Sequence, residues 1–263
     1  MCFAFDALPP ELPAELALPP IAGGAGAERL TLESADGTRF AAALAASPEP
    51  REPAVAILPD VRGLYPFYVA LAERFAQAGH HAIAIDYFGR SAGIGERGEA
   101  FDWAPHIAQT KPELIRADLT AAIAALRERT GAERVAAVGF CFGGSQVFLA
   151  AADEHVPLAG VVGFYGRLTS ARPNMPSPKE QASQTRLPLL GLFGGADEAI
   201  PQEDVDAFER ALQAAGSPHE LHVYPSAPHS FFDRAYEQHA EACADAWRRT
   251  LRFLDGLADQ PSS

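Results

Sequence analysis

Short apolar runs alternate with longer amphipathic stretches along most of this chain. The apolar runs are AVAILP (54–59), HHAIAID (80–86), RVAAVGF (134–140), LAGVVGFYG (158–166), LPLLGLFG (187–194) and HELHVYP (219–225). Runs of this length, bounded by glycine, proline and polar residues, predict strands that are buried on both faces.

The stretches between these runs predict helices, because apolar residues recur in most of them at the spacing of one helix face. They are FYVALAERFAQAG (67–79), PELIRADLTAAIAALRERTG (112–131), GGSQVFLAAA (143–152), QEDVDAFERALQAAG (202–216) and AYEQHAEACADAWRRTLRFLDGL (235–257). Pro112 and Gly131 mark the ends of the second stretch, since proline fits a first helical turn and glycine a C-terminal cap. Residues 87–111 are expected to be irregular.

The N-terminal part of the chain follows different patterns. ERLTLES (28–34) alternates with period two, Asp36 and Gly37 favour a turn, and TRFAAALAA (38–46) continues the pattern, so we expect a β-hairpin. Residues 1–27 are rich in proline, then in glycine and alanine, which indicates a flexible or loosely docked extension. The whole pattern predicts one α/β domain over residues 28–258, with an N-terminal hairpin and a mostly parallel sheet that helices cover on both faces.

Composition excludes several classes of partner. The chain has 263 residues and a formal net charge of −13, which argues against nucleic acid or an anionic membrane surface as a partner. Three cysteines without a close pair indicate neither a disulfide framework nor a metal site. The N-terminus does not resemble a signal peptide, and no window holds about 18 uncharged apolar residues, so we expect a soluble, cytoplasmic protein.

A cysteine occupies the junction between a predicted strand and a predicted helix. Cys141 lies between Gly139 and Gly143, the pattern of a nucleophile elbow with cysteine in place of serine. Side chains two positions either side of such a sharp turn would collide, which explains the glycines. The alternative is a glycine-rich turn that holds an inert core cysteine.

An acid and a histidine follow two later strands. Asp197 comes directly after the strand that ends at Gly194, and His229 lies in the loop after the last strand. Each has an ordinary alternative, a helix-capping aspartate and a loop histidine. Because ligands bind beyond the carboxyl ends of parallel strands, and because nucleophile, acid and histidine follow one another in the order of α/β-hydrolases, we expect the three side chains to meet.

These residues resemble those of the dienelactone hydrolase family, whose members are Cys-His-Asp enzymes of the α/β-hydrolase fold. The resemblance covers about residues 28–255 and rests on GFCFGG around Cys141, GGADEAIP around Asp197, HSFF at His229, IDYFGR (85–90) and GFYGR (163–167). It implies hydrolysis of an enol-lactone that bears a carboxylate, without cofactor or metal. In the family a carboxylate after the first core strand interacts with the resting thiol, and Asp60 occupies the matching position.

The expected site has further members. Backbone N–H groups of Phe142 and Val61 are the candidate oxyanion hole. The candidate substrate-binding residues are Arg234, which lies near the arginine position of the family, and the aromatic residues Tyr87, Trp103 and Tyr165.

Two other functions remain open at this point. A general carboxylesterase or thioesterase would use the same three side chains on a different substrate. A non-hydrolytic relative would instead bind ligands or oxidise Cys141 reversibly, although a sensor needs only a reactive thiol and not an acid and a histidine. In either hydrolytic case the partner is a small-molecule ester or lactone, and the protein is a monomer or a homodimer.

Overall fold

Eight strands form one sheet in the computed structural model, which describes residues 7–18, 26–170, 172 and 175–258. The strands are β1 (Glu28–Glu33), β2 (Arg39–Ala45), β3 (Ala54–Leu58), β4 (Ala82–Ile85), β5 (Val135–Phe140), β6 (Gly160–Phe164), β7 (Leu189–Gly194) and β8 (His219–Tyr224). They lie in the order β1-β2-β4-β3-β5-β6-β7-β8. β2 pairs antiparallel with β1 and β4, and every other pair is parallel. The predicted α/β class, mostly parallel sheet and N-terminal hairpin are confirmed.

Eight α-helices connect and cover the strands in the described ranges. They are α1 (Pro66–Gln77), α2 (Gly89–Ala92), α3 (Ala104–Ile107), α4 (Pro112–Thr130), α5 (Phe142–Ala150), α6 (Pro178–Gln181), α7 (Gln202–Ala214) and α8 (Ala240–Ala258). α2 and α3 are single turns within the region expected to be irregular. None of the described helices combines the length and the apolar character that crossing a lipid bilayer requires.

The two faces of the sheet are covered by different helices. On β6 a Cβ atom at Gly160 would meet the α8 residue Leu257, whereas one at Gly163 would meet the α5 residue Phe148. Since residues an odd number of positions apart on a strand face opposite sides, α8 and α5 lie on opposite faces. On the α8 face, the rings of Phe75 (α1) and Trp247 (α8) pack 5.1 Å apart.

A row of glycines brings α5 close to the sheet. Gly139, Gly163 and Gly191 are paired across β5, β6 and β7. A Cβ atom on Gly163 would lie 2.2 Å from the ring of Phe148, so a larger residue would push the helix away. The close approach of α5 fixes the position of the turn between β5 and α5, where Cys141 lies.

The ends of α4 match the prediction, but the start of α8 does not. Gly131 caps α4 in the left-handed conformation (φ 75°), and its N–H donates to the carbonyl of Arg127 at 2.9 Å. α8 begins at Ala240 rather than at residue 235. The preceding residues form turns instead, because this connection keeps Phe231 and Phe232 in the core while it returns from the edge of the sheet.

Residues 7–18 of the N-terminal extension are docked on α1 and α8. The indole N–H of Trp247 donates to the carbonyl of Pro10 at 3.2 Å, and the N–H of Leu18 donates to the carbonyl of Gln77 at 2.8 Å. Leu12 and Leu16 pack against the core. These contacts fit the docked form of the expected extension, of which residues 1–6 and 19–25 lie outside the described ranges.

Candidate active site

The carboxyl ends of five neighbouring strands carry the expected site residues. Val61 follows β3, Cys141 follows β5, Tyr165 follows β6, Asp197 follows β7 and His229 follows β8. All five strands run parallel, so their carboxyl ends lie at one rim of the sheet. The structure therefore places these residues at a common edge, as the strand pattern predicts.

Cys141 occupies a sharp, strained turn. Its backbone has φ 51° and ψ −110°, a conformation that residues with a side chain rarely adopt. A Cβ atom on Gly139 would lie 2.2 Å from the carbonyl oxygen of Gly143, and one on Gly143 would lie 2.1 Å from that of Leu58. The two glycines are thus required by the close backbone contacts around the turn, which presents the thiol at the N-terminus of α5.

Asp197 and His229 form a short hydrogen bond. The distance from His229 Nδ1 to Asp197 Oδ2 is 2.6 Å, and only 1% of the Asp197 side chain is exposed. The other carboxylate oxygen of Asp197 accepts the N–H of Ala199 at 2.9 Å, so this residue also organises the turn after β7. The carboxylate fixes the ring of His229 with Nδ1 toward Asp197 and leaves Nε2 for Cys141.

The surroundings of His229 favour its protonated form. Burial by itself lowers the pKa of His229, but the hydrogen bonds to Asp197 and Cys141 outweigh this effect and raise the pKa to about 10. An imidazolium between a carboxylate and a sulfur is the charge distribution of a thiolate–imidazolium pair. The three residues together are able to present a nucleophilic sulfur beside a proton donor.

Two backbone N–H groups belong to the turns that meet at Cys141. Phe142 is the first residue of α5, where an N–H has no partner within the helix. Gly143 packs against the carbonyls of Leu58 and Pro59, which brings the turn after β3, with Val61, next to the elbow. Within the described residues neither the Phe142 nor the Val61 N–H donates a hydrogen bond.

Asp60 binds an arginine from its own loop. Its carboxylate accepts hydrogen bonds from the Arg62 backbone N–H at 2.8 Å and from Arg62 Nε at 3.0 Å, and it forms a buried salt bridge with Arg62 Nη2. The guanidinium also lies 4.6 Å from the ring centroid of Tyr65. The structure therefore directs the Asp60 carboxylate toward Arg62, whereas the family resemblance implies a contact with the thiol.

The expected substrate-binding residues differ in exposure. Tyr87 is buried, with its hydroxyl donating to the carbonyls of Pro59 and Asp60, and Tyr165 has no exposed surface. Both therefore lie behind the cleft rather than on its surface. Trp103 is partly buried and packs against the core. Arg234 is exposed and lines, together with His229, an open cavity of about 470 Å³.

Sequence reasoning missed Asp233. Its carboxylate is buried, accepts the Tyr165 hydroxyl at 3.2 Å and accepts the backbone N–H of Arg234. Burial and the charge of Asp60 raise the pKa of Asp233, the N–H of Arg234 opposes both effects, and the net pKa is about 6. An acid directly after the apolar pair Phe231 and Phe232 was the available signal.

A larger cavity, of about 1070 Å³, lies at the opposite edge of the sheet. Its lining includes Arg134 and Val135 at the start of β5 and Pro188 before β7. Neither Cys141 nor His229 contributes to that lining. The smaller cavity is lined by both Asp197 and His229, and it is therefore the candidate active-site cleft.

Comparisons with known proteins point to one family. Residues 40–257 match the model of the Dienelactone hydrolase family. A protein named "Putative carboxymethylenebutenolidase" from Escherichia coli (strain K12) is 33% identical over 216 residues, 77% of this chain and 76% of that protein. One of the same name from Methylorubrum extorquens is 30% identical over 203 residues, 75% of this chain and 69% of that protein. The crystal structure of a "Putative Dienelactone Hydrolase" from Klebsiella pneumoniae has a TM-score of 0.76 at 28% identity and covers 89% of this chain and 98% of that chain.

Proposed function

The chain belongs to the dienelactone hydrolase family, and from this premise we propose that it cleaves an activated ester or enol-lactone through an acyl-enzyme on Cys141. Family membership makes it a hydrolase of ester or lactone bonds. The observation that carries the finer proposal is the hydrogen-bonded series Asp197–His229–Cys141 at the carboxyl rim of the sheet. The name of the relatives, carboxymethylenebutenolidase, supports an enol-lactone of the dienelactone type as substrate.

The first half of the reaction forms a thioester. In the thiolate–imidazolium pair His229 already carries the proton of Cys141, and the thiolate attacks the carbonyl carbon of the substrate. The carbonyl oxygen becomes an oxyanion, to which the N–H groups of Phe142 and Val61 donate. The tetrahedral intermediate collapses, the carbon–oxygen bond of the leaving group breaks, and that oxygen takes the proton from His229. Asp197 stabilises the imidazolium throughout.

The second half of the reaction regenerates the thiol. His229 removes a proton from a water molecule, which attacks the thioester, and the Cys141 sulfur leaves and recovers the proton. Cysteine favours substrates with a good leaving group, because a poor alkoxide competes badly with expulsion of the thiolate from the first intermediate. Enolates and phenolates meet this condition, so we expect enol-lactones and aryl esters to react faster than alkyl esters.

The charge of the protein restricts how an anionic substrate is bound. With a net charge of −13, the protein as a whole repels anions. Arg234 is an exposed cation on the cleft beside His229, and it supports the proposal that the substrate carries a carboxylate. The acid Glu198 lines the same cleft and repels a carboxylate. We therefore expect the substrate carboxylate to bind on the side of the cleft where Arg234 lies.

The test is direct detection of the acyl-enzyme. The protein is mixed with an activated aryl acetate and quenched in acid during the first turnovers, and peptide mass spectrometry locates the added acetyl group. We expect it on the peptide that contains Cys141, and we expect Cys141→Ala to reduce turnover by a factor on the order of 10³ or more.

The matched control is Cys243→Ala. Cys243 is buried in α8, where its thiol donates to the carbonyl of Phe231, and burial raises its pKa to about 12. This variant is expected to retain turnover and acylation. Wild-type turnover in Cys141→Ala, or an acetyl group on another residue, would refute the nucleophile assignment.

A further inference from the structure

Three residues other than glycine have positive φ angles in the described chain, and all three lie at the active rim. They are Cys141 (51°), Tyr165 (37°) and Ser230 (60°). Such conformations are strained and persist where surrounding contacts over-determine the backbone. The elbow explains the strain at Cys141, and Ser230 adjoins His229. Tyr165 carries the same kind of strain although it is fully buried.

Tyr165 packs directly on the imidazole. Its ring centroid lies 5.2 Å from that of His229 and 5.5 Å from that of Phe231, while its backbone N–H donates to the carbonyl of Leu192 at 2.7 Å. The ring is fully buried. The ring therefore supports one side of the His229 imidazole, and a rotation of the Tyr165 ring would change the space in which the imidazole lies.

Asp233 holds the far end of that ring. The Tyr165 hydroxyl donates to Asp233 Oδ2 at 3.2 Å, although the residues are 68 positions apart in the chain. Asp233 is only 3% exposed. The same loop carries His229 and Asp233, so the ring is fixed by the segment whose histidine it supports.

The surroundings of Asp233 disfavour its charge on balance, because burial and the charge of Asp60 outweigh the favourable effects of Arg62 and Arg234. The nearby guanidinium of Arg62 binds Asp60, and Asp233 accepts hydrogen bonds from the Tyr165 hydroxyl and the Arg234 N–H. A buried charge costs several kcal/mol, and a neutral residue of similar size at such a position often gives a more stable protein. The buried Asp233 carboxylate therefore favours a role in the active site over a role in the stability of the fold.

We propose that Tyr165 and Asp233 form a positioning pair: the Asp233 carboxylate holds the Tyr165 hydroxyl, and the ring keeps the imidazole of His229 aligned with Cys141. This inference rests on the proposed function, because the alignment matters only if His229 serves Cys141. The pair acts through His229 and does not itself touch the reacting atoms.

The pair makes catalysis depend on the ionisation of Asp233. The charged and titratable groups that face this carboxylate are Asp60 and Arg62 after β3, Tyr68 on α1, Tyr165 after β6, Arg234 on its own loop and Cys243 on α8. The pKa of Asp233 is about 6, so the carboxylate is charged at neutral pH and binds the hydroxyl most strongly there. Below that pH the proton on Asp233 weakens the contact.

The experiment compares Asp233→Asn, Tyr165→Phe and the double variant with the wild type. Tyr165→Phe removes a single oxygen atom and keeps the ring, so it carries the test even if Asp233→Asn fails to fold. We expect each single variant to lower kcat for an aryl ester about tenfold with little change in KM, because misalignment affects the chemical step. The double variant should lose no more than either single one. In the wild type we expect kcat/KM to fall as the pH drops below about 6, where Asp233 becomes protonated. This fall should be absent in Asp233→Asn and in Tyr165→Phe.

A matched control and an independent readout separate this inference from the proposed function. Tyr224 donates to Asp245 on α8 at 3.0 Å in a pair of the same kind, and Tyr224→Phe keeps the ring that packs on Phe231, so this variant should retain wild-type kinetics. The rate of iodoacetamide alkylation at the Cys141 peptide, measured against pH, reports the thiol–imidazole pair without any ester. We expect this profile to shift in both positioning variants, even if the wild type hydrolyses none of the esters tried. Folded variants with unchanged alkylation profiles and unchanged kinetics would overturn the proposal.

Discussion

His229 Nδ1 and Asp197 Oδ2 lie 2.6 Å apart, although the residues are 32 positions apart in the chain and follow different strands. The Asp197 side chain is 1% exposed, so water and salt screen the interaction only weakly. A charge-assisted contact of this length fixes both the orientation and the tautomer of the imidazole. The reactivity of Cys141, which follows β5, therefore depends on a carboxylate that follows β7, two strands away in the sheet.

Asp197→Asn tests this dependence, because it keeps the size of the side chain and removes its charge. We expect kcat to fall by a factor on the order of 10³. The pKa of His229 should also fall from about 10, since burial then opposes protonation with one hydrogen bond fewer. An NMR titration of the imidazole and a kcat–pH profile measure the two effects.

The control for Asp197→Asn is Asp245→Asn. Asp245 Oδ2 lies 3.8 Å from the Nε2 atom of another histidine, His222, away from the elbow. Its replacement should leave kcat unchanged. Equal losses in the two variants would contradict a specific role for Asp197.

The elbow glycines provide the second prediction. A Cβ atom on Gly143 would lie 2.1 Å from the carbonyl of Leu58 and 2.3 Å from that of Pro59, and neither backbone group can move without shifting β3. We expect Gly143→Ala to lower the free energy of unfolding by about 3 kcal/mol or more and to abolish turnover. Urea denaturation and an ester assay measure these effects.

Gly256 offers the matched control for this substitution. It lies in α8, and a Cβ atom there would meet no atom within 4 Å. Gly256→Ala should raise the free energy of unfolding by about 0.5–1 kcal/mol, since alanine favours helices over glycine. A neutral Gly143→Ala would show that the backbone around Cys141 is less constrained than the contacts imply.

Local features of the site were predictable from the sequence, because they depend on residues close together in the chain. The collision that requires Gly139 is with the carbonyl of Gly143 and arises within five residues, so the pattern around Cys141 predicts the turn, whereas the collision that requires Gly143 is with the distant carbonyls of Leu58 and Pro59. The alternation of strands and helices places Asp197 and His229 at the same rim without knowledge of the strand order.

Features that depend on distant packing were not predictable in this way. Asp233 is identified by its burial and by Tyr165, which lies 68 positions earlier, and neither follows from the sequence around Asp233. The same holds for Tyr87, an aromatic residue near the cleft whose hydroxyl instead joins the carbonyls at the end of β3. Such contacts require the order of strands across the sheet, which the pattern of apolar residues does not contain.

The buried pair of Asp60 and Arg62 is the subject of the third prediction. Both side chains are less than 10% exposed, and their bonds span Val61, whose N–H is a proposed oxyanion donor. Arg62→Met leaves the Asp60 carboxylate uncompensated, so we expect a loss of about 3–5 kcal/mol in the free energy of unfolding and a reduced kcat. Urea denaturation and steady-state kinetics measure both.

An exposed ion pair serves as the comparison for Arg62→Met. Arg129 and Glu28 lie 3.0 Å apart with 45% and 56% of their side chains exposed. Glu28→Gln should cost less than about 1 kcal/mol, because water screens such pairs. A similar small cost for Arg62→Met would mean that the turn after β3 is held by its backbone and not by the ion pair.

The last prediction concerns the pH dependence of stability through Asp233. Its pKa is about 6 in the folded protein against an ordinary value of 3.8, so between these pH values the folded state binds more protons than the unfolded state. The contribution of Asp233 to stability is therefore greatest below about pH 4 and falls as the pH rises through about 6. The total fall corresponds to about 3 kcal/mol.

Asp233→Asn lacks this titration, so the stability of the variant relative to the wild type should rise by a similar amount between pH 4 and pH 7. Urea unfolding of both proteins at several pH values measures the difference, and a difference that stays constant with pH would contradict a charged, buried Asp233.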